Sequence, residues 1–179
     1  KQSAKLAQDT VVVTVMSNMG FLEYLKENGM NSAVTAVGDR YVLEEMRDKG
    51  YALGGEQSGH VILLEHATTG DGQLTAGMLL KTLAQKGGAM SELNHVYEKF
   101  PQVMVNVHAS NEQKSRYRDD EYIAGFIESQ QQSLMGQGRV LVRVSGTEPL
   151  IRVMVEGRDA QAIALSAERI AKKLEERLA

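Results

Sequence analysis

The sequence runs to 179 residues, 42% hydrophobic and 24% charged, with a formal net charge of −3. That length accommodates one ordinary domain or two small ones, and the mild negative charge gives no support for a nucleic-acid partner. The absence of cysteine removes disulfides, thiolate catalysis and cysteine-ligated metals, and no apolar run is long enough to span a membrane.

In chain order, Lys1 to Gln8 reads as the last turns of a helix. Thr10 to Met16 is a β-branched run suited to a strand buried on both faces. A turn over Ser17 to Gly20 leads into a helix from Phe21 to Asn28, with Gly29 as its stop. Ser32 to Val37 is a second strand. Gly38-Asp39 opens a helix from Arg40 to Lys49, which Gly50 ends. Two strands, each followed by a helix ending in glycine, predict an α/β layer with parallel pairing. Strands over Tyr51 to Leu53 and His60 to Glu65 then flank a glycine-rich tip, Gly54 to Gly59. Asp71 or Thr69 caps a helix to about Lys86, with Ala76, Leu79, Leu80 and Leu83 on one stripe, and Ser91 to Lys99 reads as a further short helix.

Pro101 marks the expected boundary between a domain over 1–100 and a second over 101–179. Val103, Val105 and Val107 alternate as a strand, and Ala109 to Arg118 reads as a mobile polar loop. Asp120 to Met135 is a helix with Ile123, Phe126, Ile127 and Leu134 on its apolar side. Two strands follow around the turn Ser145-Gly146-Thr147. Asp159 caps a closing helix striped by Ile163, Ala167, Ile170, Leu174 and Leu178. The second domain therefore reads β-α-β-β-α, an α+β sheet covered by helices on one face.

Three constellations carry candidate chemistry. If Val140, Val142 and Val144 face the core, Arg143, Ser145 and Arg152 emerge opposite. Two guanidinium forks, the Ser145 and Thr147 hydroxyls and the amides at Gly146 suit a phosphate dianion. On spacing alone, a polar hairpin tip with surface arginines is the better fit, because Ser-Gly-Thr is ordinary turn composition. Glu56, Ser58, Gly59 and His60 place a carboxylate, a hydroxyl and an imidazole on a glycine-rich tip, as recognition of sugar hydroxyls requires. Incidental polar residues at a turn would look the same. Gly38, Asp39 and Arg40 stand where a strand meets a helix, an edge at which ligands gather in α/β sheets. There Asp39 reads as either a cleft residue or a helix cap. The four histidines lack metal-ligand spacing.

The runs TVMSNMG, GDRYVLEEM, GGEQSGH, TTGDG and RVSGTEPLIRVMVEG, in that order, resemble the phosphohexomutases, with wording closest to the bacterial phosphoglucosamine mutases. The resemblance covers the last two of that family's four domains. It implies an α/β/α three-layer third domain, here lacking its start, followed by a small TBP-like α+β domain. Lys1 is then an artificial start, with the first strand of the third domain missing.

By the same resemblance, Glu56 and Ser58 hold sugar hydroxyls, and His60 bonds near the substrate or relays a proton. Arg143, Ser145, Gly146, Thr147 and Arg152 grip the phosphate that is not transferred. The implied enzyme interconverts glucosamine 6-phosphate and glucosamine 1-phosphate for cell-wall amino-sugar supply, through a phosphoserine and a sugar bisphosphate. It uses Mg²⁺ held by a three-aspartate loop. Neither that loop nor the phosphoserine segment has a match here, so this stretch alone is expected to be inactive. A phosphomannomutase or phosphoglucomutase, or a non-catalytic phosphosugar-binding module, fits the same motifs. The implied partners are a phosphosugar, upstream domains of the same chain, and a second copy joined through those domains. The expected location is the cytoplasm.

Overall fold

The computed structural model describes residues 6–93 and 95–179. They divide into two compact units, 1–99 and 100–179. The helix expected over Lys1 to Gln8 falls largely outside the described residues. What is described there is a 3₁₀ turn over Ala7–Asp9, with Gln8 at φ 55°.

The first unit is built on β1 (Thr10–Thr14), every residue of which is buried. It sits between β2 (Asn31–Thr35) and β3 (Leu53–Gly55), parallel to both, and β4 (Val61–Leu63) adds antiparallel to β3. Alternation along β1 sends Val11 and Val13 to one face and Val12 to the other. Val11 and Val13 meet Leu25 and Phe21 of α1 (Met19–Glu27), whereas Val12 meets Val42 and Met46 of α2 (Asp39–Lys49). This is the expected three-layer arrangement, and it is why the β-branched run carries no polar face. Asn18 caps α1 through the Gly20 amide, and Gly50, in the left-handed region, ends α2. Gly50 and Tyr51 both donate amides to the Met46 carbonyl, so β3 begins at Leu53 rather than Tyr51.

The later part of this unit departs from the sequence pattern. Asp71 caps α3 (Gly72–Lys86) as expected, but the stripe is not covered: Leu79 is 44% and Leu80 60% exposed. Leu74, Thr75 and Met78 are the half-buried residues of its first turns, because the helix docks on β4, an outer strand of the sheet. Among the described residues of the helix expected over Ser91 to Lys99, only the short α4 (Met90–Leu93) forms. Tyr97 instead stacks obliquely on Phe21 and Tyr24, which draws the chain across α1 in an irregular path.

The second unit is a three-stranded antiparallel sheet in the order β5 (Gln102–His108), β7 (Leu150–Gly157), β6 (Gly138–Val144). Ile151, Val153 and Val155 of the central strand point to one face, under Ile163, Ala167, Ile170 and Leu174 of α7 (Ala160–Leu178). Ile123 of α6 (Glu121–Ser133) joins the same core, and Asp120 caps that helix through the Ile123 amide. That bond, and then Arg177, hold the Asp120 carboxyl below its usual range.

The segment expected to be a mobile loop is a helix, α5 (Asn111–Asp119). Ser110 and Gln113 form a reciprocal capping box, and Gln113 Nε2 donates to the Leu178 carbonyl at 2.6 Å. Polar composition hid this helix, since its inner residues are Lys114 and Tyr117 rather than aliphatic ones. The observed order is β-α-α-β-β-α.

Gly54 tests the packing of the first unit. A Cβ there would lie 2.6 Å from Met46 Sδ and 2.7 Å from Val42 Cγ1. Gly54→Ala should destabilise by about 1–3 kcal/mol through overpacking. Urea unfolding should show a lower midpoint with unchanged slope, and an unchanged midpoint would contradict the close approach of α2.

Candidate functional site

In the first unit the tip between β3 and β4 is closed by its own backbone. The Glu56 amide donates to the His60 carbonyl at 2.9 Å, and the Gly59 amide to the Glu56 carbonyl at 3.1 Å. The mouth of α2 is joined to this tip. The Gly38 amide donates to Glu56 Oε1 at 3.0 Å, and His60 Nε2 lies 3.9 Å from Asp39 Oδ2. Gly38 and Asp39 therefore share one cluster with Glu56 and His60, although about twenty residues separate them.

The fourth family run, TTGDG, reaches the same place. A Cβ at Gly70 would sit 2.0 Å from His60 Cδ2, so only glycine admits the imidazole here. Sequence reasoning assigned this run to the helix start alone. Arg40 is not brought to the tip: its Nε donates to Glu44 Oε1 at 2.7 Å along the exposed face of α2. That bond raises the Arg40 pKa. Ser58 is exposed and Glu56 half-buried, beside a cavity of about 450 Å³ lined inside by Val11, Val13, Phe21 and Leu53. Such a tip presents acceptors, a hydroxyl and an imidazole to a polyhydroxylated ligand.

In the second unit the candidate phosphate site is the turn joining β6 to β7. Register places Arg143 directly opposite Arg152, with Asn106 of β5 on the far side of Arg152. Both arginines lie on the face away from the valine core, so two guanidinium groups stand on adjacent strands. Glu148 accepts from Arg152 Nη2, while Arg152 Nε is buried without a hydrogen-bond partner. Arg143 forms no ion pair among the described residues. Ser145 is buried, and its Oγ accepts the Glu148 amide at 3.2 Å. Gly146 and Thr147 are exposed, and a Cβ at Gly146 would meet nothing within 4 Å. The result is an open turn backed by two cations, one of which keeps an unpaired donor.

Two participants in this second site escaped the sequence reading. Glu148 stood inside the quoted run but was given no role. Lys114, only 7% exposed, donates from Nζ to the Ser145 carbonyl at 3.0 Å and to the Glu148 carbonyl. The capping-box pattern from Ser110 to Gln113 was the signal that would have placed Lys114 on a helix.

Among the described residues, no three histidine or acidic side chains converge as metal ligands, so their donor set does not fit Mg²⁺. No helix among them is long and apolar enough to cross a membrane.

Residues 1–100 match the family described as phosphoglucomutase/phosphomannomutase, alpha/beta/alpha domain III, and residues 104–173 match its C-terminal domain. The chain is 52% identical over 178 residues to the phosphoglucosamine mutase of Ruminiclostridium cellulolyticum, covering 99% of this chain and 40% of that one. It is 54% identical over 155 residues to that of Streptococcus thermophilus, covering 87% and 34%. Among solved structures, the Aspergillus fumigatus N-acetylphosphoglucosamine mutase in complex with GlcNAc-6P and magnesium superposes with a TM-score of 0.77. That likeness, at 20% identity over 99% of this chain and 40% of the other, is one of fold. The chain thus spans about 40% of the length of relatives such as the first.

Isothermal titration with a hexose 6-phosphate tests the cradle. Arg143→Ala should weaken binding by about 1.5–3 kcal/mol, the value of charge-assisted bonds. Arg143→Lys should restore only part, lacking the planar fork. Glu148→Gln removes the carboxylate competing for Arg152 and should tighten binding, by no more than about 1 kcal/mol because the pair is partly exposed. Unchanged affinity in Arg143→Ala would remove this turn as the anion site.

Proposed function

Since the chain belongs to the phosphoglucomutase/phosphomannomutase family, spanning its domain III and C-terminal domain, we propose that it is the substrate-gripping portion of a phosphoglucosamine mutase. The observation that carries this reading is the Arg143–Arg152 pair at the Ser145-Gly146-Thr147 turn. Two guanidinium groups on adjacent strands, one with a buried unpaired Nε, suit an anion with several acceptor oxygens. The amino-sugar assignment draws its support from relatives of about half identity that carry the name phosphoglucosamine mutase.

In the whole protein, glucosamine 6-phosphate and glucosamine 1-phosphate interconvert through a sugar bisphosphate. An upstream phosphoserine gives its phosphoryl group to the free sugar oxygen. The bisphosphate turns over, and the serine takes back the other phosphoryl group. The Arg143–Arg152 cradle holds whichever phosphate is passive. A guanidinium pair reads the phosphate's charge and oxygens, and is indifferent to the carbon that carries them.

Glu56 and Ser58 hold sugar hydroxyls. Glu56 keeps one oxygen on the Gly38 amide, which orients the other. His60, beside Asp39, holds or moves a proton at the sugar oxygen. The described residues supply no ligand set for Mg²⁺, which would be held elsewhere in the whole protein and would supply charge neutralisation at the phosphoryl group. The reading carries with it a cytoplasmic enzyme, with any second copy joined through the upstream domains.

Two assays bear on this. The chain alone, given glucosamine 6-phosphate, Mg²⁺ and a sugar bisphosphate, should yield no glucosamine 1-phosphate, because no donor is aligned with the reacting oxygen. Joined to the family's upstream domains it should do so, and Arg143→Ala should lower kcat/KM about 10–100-fold. Faster turnover of mannose or glucose 6-phosphate would replace the amino-sugar assignment with a sister mutase. Phosphosugar binding by the joined protein without turnover would leave a binding module.

A further inference from the structure

We propose that Lys114 is a positioning residue of the anion cradle, turning the Gly146 amide outward by drawing the loop's carbonyls inward. The proposal rests on the reading of the Ser145–Thr147 turn as a phosphate site. Lys114 is buried on α5, and its Nζ donates to the carbonyls of Ser145 and Glu148, residues that bracket the turn. No peptide bond described is cis. In a trans peptide the C=O and the following N–H point in opposite directions. A Ser145 carbonyl held by Lys114 therefore aims the Gly146 N–H away from the lysine. That amide has no acceptor among the described residues, and the space around Gly146 is open. The Glu148 carbonyl precedes Pro149, so turning it inward withdraws no donor from the ligand side.

Charge points the same way. Lys114 pairs with no carboxylate among the described residues: its bonds go to neutral carbonyls, and the nearby Glu148 carboxylate is taken by Arg152. A buried cation with no counterion favours an anion at the turn it supports. The foundation is stiff. The capping box fixes the start of α5, and Gln113 ties it to the end of α7. A lysine on a mobile loop could not set a peptide plane; one on a capped, docked helix can.

The test is an amide NMR titration of the chain with inorganic phosphate, comparing wild type with Lys114→Met, which keeps the apolar stem. In wild type the Gly146 amide should shift saturably. Lys114→Met should bind about tenfold more weakly, and its Gly146 amide should no longer respond at saturation, with the rest of the spectrum unchanged. A Gly146 response that persists at saturation in Lys114→Met, at whatever affinity, overturns the positioning role while leaving the phosphate site intact. Absence of any phosphate-dependent shift at the turn in wild type overturns the site itself, and this inference with it. Should Lys114→Met fail to fold, the wild-type ammonium decides. Held by two carbonyls, it should give a resolved side-chain signal that moves as phosphate saturates, and a stationary or missing signal overturns the role.

Discussion

Two guanidinium groups held side by side on neighbouring strands repel one another, and the second unit is organised so that they stay there. Like charges directly opposite in a sheet are destabilising, and Arg143 and Arg152 occupy directly opposed positions. Their register is not free to slip. A shift of one residue would turn Ile151, Val153 and Val155 out of the core and the arginines into it. Burial under α7 thus holds the charges together, and among the described residues only one of them receives a carboxylate.

The same face shows how the sheet handles charge where no ligand is expected. Four residues before Arg143 on the same strand, Arg139 meets Glu156, whose side chain is fully buried, at 2.6 Å. That pair is neutral and closed. The Arg143–Arg152 pair is neither: among the described residues its two like charges share the single carboxylate of Glu148.

In the first unit the constraint is steric. Gly54 lets α2 close on the sheet, and that brings the N-terminal turn of α2 to the hairpin tip. Gly70 lets the His60 ring lie against the start of α3. The rigid layers carry alternating valines, while the polar groups that would meet a ligand stand on short connections between them.

Much of this was legible from the residues. The valine alternation in β6 and β7, the fully apolar β1 run and the Gly50 stop are local patterns, set by strand and helix periods and by glycine's backbone freedom, and the structure follows them. The turn at Ser145-Gly146-Thr147 was legible for the same reason: it is specified by its own residues. Tertiary structure decided what depends on partners distant in sequence. Lys114 looked like one basic residue in a polar loop, because its acceptors lie about thirty residues onward. Asp39 and Gly38 joined Glu56 and His60 only through the parallel pairing of β1 and β3 and the packing of α2 over them. Arg40, adjacent to both, was drawn off by Glu44 one helical turn away. The α3 stripe looked like a core face, yet a stripe is buried only where another element covers it, and no described element of the unit covers Leu79 and Leu80. Periodicity determines which side of an element is apolar; only the packing of elements from distant parts of the chain determines what that side, or the polar side opposite, finally meets.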